Sequence, residues 1–182
     1  MPNNLKNKNI VLAVCGGIAV YKVCDLTRKL VALNANVTCV MTESAKQFVT
    51  PLTFQTLSGN KVYSDMFDTS YWEIGHISLA QKADIVVVIP ATANTIAKLA
   101  NGTADNLVCS TILATKAKVL ICPAMNHNMF HHAATEKNIK ILLDYNYKFV
   151  MPHKGKLACG ITGDGCLAPV ETVLEQIDAE LK

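Results

Sequence analysis

Apolar runs of strand length alternate along the chain with segments of helical periodicity. The apolar runs cover residues 9–15, 35–41, 84–90, 118–124 and, more weakly, 147–152. Their hydrophobicity is continuous, which is typical of strands covered on both faces of a parallel sheet. Helical patterns occupy residues 19–33, 94–102 and 169–182. The alternation predicts an α/β fold in three layers, with a doubly wound, mostly parallel sheet of the flavodoxin or Rossmann type.

The chain shows no internal repeat, linker or shift in composition, so we expect a single domain over residues 1–182. Residues 152–169 depart from the alternating pattern, because they include four glycines and two prolines. This composition predicts a long loop, and loops of that length are usually functional or disordered.

The amino-acid composition limits the classes of protein to which the chain can belong. Hydrophobic residues make up 51% of the chain and charged residues only 17%, which indicates a homo-oligomer that buries apolar surface between subunits. The net charge of +3 is small and scattered, which argues against nucleic acid as a partner. Seven cysteines without a CxxC pair indicate free thiols, and no apolar run has the length of a membrane span. We expect a cytoplasmic protein without a membrane partner.

Ligands of doubly wound folds bind beyond the carboxyl ends of the strands, and four such ends are rich in small, hydroxyl or amide residues. The first, CGGIA at 15–19, runs directly into a helix, so its amides can face a phosphate. The pair Gly16 and Gly17 also suits a plain tight turn. Thr42 and Ser44 follow the second strand, where Glu43 keeps a nicotinamide site open as an alternative. PATANT at 90–95 supplies hydroxyls for a ligand or a helix cap.

The fourth strand end, CPAMNHNMFHH at 122–132, has the residue types of a metal site. His127 and His131 are four residues apart, the spacing that places two ligands on one helical face. The local sequence offers no HExxH motif and no neighbouring acid to complete a site. We therefore predict no metal. The remaining candidate, His76 in WEIGHISLAQKAD, begins a predicted helix, where either a structural or a catalytic role is open.

Five segments together resemble a known family. PAMNHNM resembles a PxMNxxMW signature, LACG a cysteine-bearing loop and HISLAQKAD a histidine segment, and GGIAVYK and PATANTIAKLANGTADNL also match, in the right order over about residues 9 to 170. On these motifs the chain is similar to the homo-oligomeric flavin-containing cysteine decarboxylases. The resemblance implies FMN as cofactor and trimers or dodecamers of trimers, with the histidine contributed across a subunit interface.

Within that family, the resemblance implies conversion of 4'-phospho-N-pantothenoyl-L-cysteine to 4'-phosphopantetheine and CO2, a step of coenzyme A biosynthesis. A carboxylate next to an amide-bearing carbon has no electron sink, so the cysteine side chain is first oxidised to a thioaldehyde. Loss of CO2 then leaves an enethiolate, which is protonated and reduced, and flavin is suited to both electron transfers.

The resemblance also assigns residues. It implies acid–base or positioning work for His76, a hydrogen bond from Asn126 to the leaving carboxylate, and proton donation by Cys159. Met129 would line the substrate pocket, and a flap formed by Lys156, Leu157 and Ala158 would cover it. The implied FMN-binding residues are Gly16, Gly17, Ile18, Thr42, Ser44, Thr92, Ala93, Asn94 and Thr95.

The chain departs from the family pattern at two places. Phe130 replaces the usual Trp, and ACGITGDGCLAP replaces an ACGDxGxGR-type loop, which makes Cys166 a competitor of Cys159 as donor. No fused synthetase domain is expected. The alternatives are a lantibiotic-type peptidyl-cysteine decarboxylase, which needs no reducing cysteine, a flavin prenyltransferase-like protein, and a regulatory flavoprotein. LACG and PAMN argue against the first two, and the third usually carries an acidic tail.

Overall fold

A computed structural model of the protein describes residues 4–68 and 75–182. Its main sheet has five parallel strands in the order β2-β1-β3-β4-β5, which is the flavodoxin-like arrangement and confirms the predicted fold class. The strands are β1 (Asn9–Val14), β2 (Asn36–Met41), β3 (Ile85–Ala91), β4 (Lys118–Pro123) and β5 (Lys148–Phe149). The weak fifth run thus forms only a short edge strand.

Helices cover both faces of the sheet. They are α1 (Val20–Ala32), α2 (Pro51–Ser58), α3 (Gly75–Lys82), α4 (Ala93–Ala100), α5 (Leu107–Ala114), α6 (His127–Phe130), α7 (Ala133–Asp144) and α8 (Val170–Glu180). The three helical patterns of the sequence correspond to α1, α4 and α8. His76 lies in helix α3, in agreement with the helix predicted there, whereas α2, α5 and α7 were not identified from the sequence.

Two apolar clusters lie on opposite faces of the sheet. Ile10, Leu12 and Val14 of β1 pack with α1, α2 and α8, whereas Val11 and Ala13 pack with the helices of the other face. Successive side chains of a strand point to opposite faces, so a strand buried on both sides must be apolar at every position. The continuous apolar runs are therefore explained by burial of the strands on both faces, as the sequence indicated.

Residues 152–169 are more ordered than the predicted loop. They contain an antiparallel hairpin of β6 (His153–Lys156) and β7 (Thr162–Cys166), with Lys154 opposite Asp164 and Lys156 opposite Thr162. The tip closes through a hydrogen bond of 2.8 Å from the Leu157 amide to the Ile161 carbonyl. Polar and glycine residues obscured these strands in the sequence, because an exposed two-stranded ribbon needs no apolar face.

Across the described ranges, no helix combines the length and the apolar character needed to cross a membrane.

Candidate active site

A cavity of about 960 Å³ opens at the carboxyl ends of the parallel strands. The cavity lies at β1, which separates β2 from β3, so the connections after β1 and after β2 run in opposite directions along the sheet. Ligands of this fold bind at such a reversal of strand order. All the flavin-binding and flap residues predicted from the sequence line it, together with Asn126, Met129 and Cys159. The lining residues are Gly16, Gly17, Ile18, Thr42, Ser44, Thr92, Ala93, Asn94, Thr95, Asn126, Met129, Lys156, Leu157, Ala158 and Cys159.

The turn between β1 and α1 packs tightly against the end of β2. A Cβ atom on Gly16 would stand 2.4 Å from the Cβ of Ser44 and 2.7 Å from its carbonyl carbon, so any side chain there would force the two strand ends apart. The turn leads into the thirteen-residue helix α1. The N-terminus of such a helix, with open backbone amides before it, suits a phosphate group.

Hydroxyl groups surround the same part of the cavity and also hold their own turns. The Thr95 amide donates to Oγ1 of Thr92 at 3.2 Å, which caps α4, and the Ala45 amide donates to Oγ1 of Thr42 at 3.2 Å. Both readings of PATANT, helix cap and ligand site, are therefore compatible with one geometry. This donor set, with a glycine turn and the apolar walls of Ile18 and Met129, fits a phosphorylated flavin.

Asn126 and Cys159 meet at the edge of the cavity. The side-chain oxygen of Asn126 accepts a hydrogen bond of 2.9 Å from the Asn128 amide, which caps α6. The oxygen is therefore engaged with the turn, and the NH2 group is directed outward, where it contacts Sγ of Cys159 at 3.6 Å. The amide can thus donate to a carboxylate, as the proposed role requires.

Cys159 is the exposed thiol of the site. It precedes Gly160 in the hairpin tip, where φ of +90° demands a residue without a side chain. Cys166 also lines the cavity, but its thiol contacts the carbonyl oxygen of Lys156 at 3.7 Å, across the hairpin. By contrast, Cys15 lies buried next to Thr95, and burial raises the pKa of its thiol to about 12.

The histidines of the fourth strand end have a partner that the sequence did not reveal. Asp164 of β7 accepts a hydrogen bond of 3.0 Å from Nε2 of His131, and its own amide donates to Nδ1 of His127 at 3.2 Å. The expectation that no acid completes this cluster was therefore wrong, since the acid comes from the hairpin. These three residues could supply ligands to a metal ion. The observed hydrogen bonds already engage Nδ1 of His127 and Nε2 of His131.

His76 does not lie among the residues that line the cavity within 4–68 and 75–182. It is half-buried on α3, which packs against α5. Several further residues line the cavity without having been predicted as site residues: Tyr21, Lys22, Lys98, Asn106 and Met125. Tyr21 and Lys22 belong to the GGIAVYK segment and lie in the first turn of α1, and their place in that motif was the signal that could have identified them.

The fold, the glycine turn and the hydroxyl-lined cavity define a nucleotide-type cofactor site at a doubly wound sheet. The sequence profile of the Flavoprotein family matches residues 1–182. The chain is 45% identical to a probable phosphopantothenoylcysteine decarboxylase of Streptococcus mutans, with 96% of this chain and 99% of the relative covered. The chain therefore belongs to the Flavoprotein family.

Another relative and two solved structures agree with this placement. The bifunctional coenzyme A biosynthesis protein CoaBC of Bacillus subtilis is 51% identical over 94% of this chain, which spans 42% of that longer protein. A PPC decarboxylase mutant complexed with pantothenoylaminoethenethiol superposes with a TM-score of 0.84 at 28% identity, covering 96% of this chain and 98% of that one. The FMN-dependent cysteine decarboxylase SpaF gives 0.84 and 28%, with 97% of each chain covered.

Proposed function

We propose that this chain is an FMN-dependent decarboxylase that converts 4'-phospho-N-pantothenoyl-L-cysteine to 4'-phosphopantetheine and CO2 in coenzyme A biosynthesis. The observation that carries the proposal is the contact between Asn126 and Cys159 at the cavity edge. It places an amide that can donate a hydrogen bond to the substrate carboxylate beside a thiol that can donate a proton. The relative in Streptococcus mutans, named as a probable phosphopantothenoylcysteine decarboxylase, supports the activity, and the relative in Bacillus subtilis, named for coenzyme A biosynthesis, supports the pathway.

FMN is the cofactor that the Flavoprotein family and the FMN-dependent neighbours support. The turn at Gly16 and Gly17 and the start of α1 would hold its phosphate, and the hydroxyls of Thr42, Ser44 and Thr92 would supply polar contacts. When bound, FMN would supply the two-electron redox chemistry that the oxidation of the substrate cysteine and the later reduction require.

Asn126 holds the substrate carboxylate. Because its carbonyl oxygen is engaged with the Asn128 amide, its NH2 group is directed towards the cavity edge at Cys159, where it can donate to the carboxylate and orient it for loss of CO2. Met129 is half-exposed on the next turn and forms an apolar wall. Lys156, Leu157 and Ala158 precede Cys159 on the hairpin and cover the substrate from the other side.

Cys159 protonates the enethiolate that remains after CO2 has left. Its thiol is exposed at the hairpin tip and lies next to the amide of Asn126, so a substrate held by Asn126 comes within reach of it. The Cys166 thiol donates instead to the Lys156 carbonyl, within the hairpin. This difference favours Cys159 as the donor and gives Cys166 a structural contact.

A homo-oligomer, either a trimer or a dodecamer of trimers, completes the proposal. Tyr21 at the cavity is 61% exposed, and Leu52 of the adjoining α2 is 69% exposed, which fits apolar surface buried between subunits. Since His76 does not line the cavity of its own chain, we place it at a subunit contact, where it would act in acid–base work or positioning. We place the enzyme in the cytoplasm, the compartment of reduced thiols.

Incubation of the purified protein with phosphopantothenoylcysteine, followed by mass analysis, tests the function. We expect a yellow protein and a product that has lost CO2 only. Loss of CO2 plus two hydrogens would instead indicate an enethiol-forming peptidyl-cysteine decarboxylase, and turnover of a cysteine-terminated peptide in place of the phosphorylated substrate would point the same way. A colourless protein without flavin would overturn the proposal.

A further inference from the structure

The hairpin that carries Cys159 is attached to the rest of the chain at a small polar cluster, which we name the hairpin clamp. The clamp consists of His127, the first residue of α6, His131, which directly follows α6, and Asp164 of β7. His131 donates from Nε2 to the Asp164 carboxylate at 3.0 Å, and the Asp164 amide donates to Nδ1 of His127 at 3.2 Å. Two bonds of opposite direction thus join the same two segments.

The backbone brings these segments unusually close. A Cβ on Gly163 would stand 2.9 Å from Cβ of His127, and a Cβ on Gly165 would stand 2.2 Å from the carbonyl oxygen of Met125. The Met125 amide also donates to the Gly165 carbonyl at 3.0 Å. Glycines on both sides of Asp164 therefore allow the hairpin to dock on the turn after β4, and Asp164 is the side chain that locks the docked position.

Electrostatics reinforces the clamp. The hydrogen bond from His131 holds the pKa of the Asp164 carboxyl below its ordinary range, so this group stays ionised at neutral pH. A lowered carboxyl pKa stabilises the folded state above the ordinary pKa of aspartate, and the contribution is lost as pH falls through the lowered value. His131 also faces Glu136 of α7 at 3.6 Å from Nδ1, and Lys154 lies opposite Asp164 on β6.

The two catalytic side chains depend on the clamp to different extents. Asn126 is held by its own helix cap and by the strand end before it, where the Ala124 amide donates to the Ala91 carbonyl at 3.1 Å. Cys159 lies at the tip of an exposed two-stranded ribbon, and such ribbons are marginally stable by themselves. Releasing the clamp would therefore displace Cys159 more than Asn126.

We propose that His131 and Asp164 are positioning residues that hold Cys159 over the reaction intermediate. The inference rests on the proposed function and adds to it a control of the final step. With the clamp intact, Cys159 delivers its proton and the intermediate becomes saturated. With the clamp broken, CO2 still leaves, but the enethiol escapes before it is reduced. The two electrons removed from the substrate in the first step are then not returned to it.

The test is the distribution of products from a single turnover under nitrogen, with enzyme in excess, for Asp164→Ala and His131→Ala. We expect decarboxylation within about twofold of the parent, and a reduction step slowed roughly tenfold, because a misplacement of about 1 Å can cost that much or more. The enethiol product should rise, and the flavin absorbance should stay bleached to the same extent. His131→Gln retains a donor and should restore most of the saturated product.

Two comparisons make the outcome decisive. Asp144→Ala removes an exposed carboxylate at the end of α7 and should leave the distribution unchanged. The double variant Asp164→Ala/His131→Ala should shift the distribution no further than either single variant, because the two residues act through one contact. If both single variants give parental product ratios while the parent makes phosphopantetheine, the clamp inference is wrong and the proposed function stands. If the parent does not decarboxylate the substrate, the proposed function fails.

Discussion

The two sides of the cavity are built differently. On the sheet side, Gly16 lies against Ser44 and Thr92 caps α4, so the cofactor segments are fixed by strands that are buried on both faces. On the hairpin side, Lys156, Ala158 and Cys159 are exposed and their ribbon is held by polar contacts. The sheet side is suited to holding a cofactor permanently, and the hairpin side to covering a substrate that must enter and leave.

The largest effect that this comparison predicts is that of Gly16→Ala. The new Cβ would overlap Ser44 and push β1 and β2 apart, which should abolish flavin binding and all activity and lower stability by about 1–3 kcal/mol. Flavin absorbance and thermal unfolding measure the two effects. Gly17→Ala is the matched variant, because its Cβ would lie 3.9 Å from the nearest heavy atom, Cγ2 of Thr92. Parental stability of Gly16→Ala would show that the sheet side is not rigid.

Asn126→Ala should reduce decarboxylation roughly 100-fold, because a positioned donor to the reacting carboxylate is lost. The flavin should remain bound, since the sheet side is untouched. Asn128→Ala is the control, because its side chain is exposed and only its backbone amide meets Asn126. Single-turnover release of CO2 is the measurement, and a rate near that of the parent would remove Asn126 from its role.

Cys159→Ser should change the product rather than the rate of CO2 release. Without the thiol proton donor, the enethiol should accumulate while decarboxylation continues. Cys166→Ser should give the ordinary saturated product, because the Cys166 thiol is engaged with the Lys156 carbonyl. Mass analysis distinguishes the two products, and the reverse result would make Cys166 the donor.

The smallest effect concerns thiol reactivity without any mutation. Burial raises the pKa of Cys15 and Cys39 to about 12 and that of Cys122 still further, so these sheet-side thiols should resist alkylation at neutral pH. Cys159 is exposed and should be modified first. Peptide mapping after a short treatment with iodoacetamide checks the order, and early labelling of Cys15 would show that the sheet opens.

The sequence predicted the sheet side better than the hairpin side, because buried strands leave a hydrophobic pattern in the sequence and the exposed hairpin does not. A strand buried on both faces must be apolar throughout, so β1, β3 and β4 were found with errors of about one residue at their ends. The hairpin carries HKGK and TGDGC, whose polar and glycine-rich composition has no period that identifies strands. The resemblance, rather than periodicity, supplied Cys159.

The sequence by itself thus determined the fold class, and its short motifs predicted the flavin-binding segments and the pairing of an asparagine signature with a cysteine loop, because each depends on local pattern. Only the tertiary structure decided that Asp164 meets His127 and His131, and that the Asn126 amide is directed at Cys159. These contacts join residues more than thirty positions apart. Their formation depends on how the hairpin docks on the turn after β4, and no local sequence pattern encodes contacts between segments so far apart in the chain.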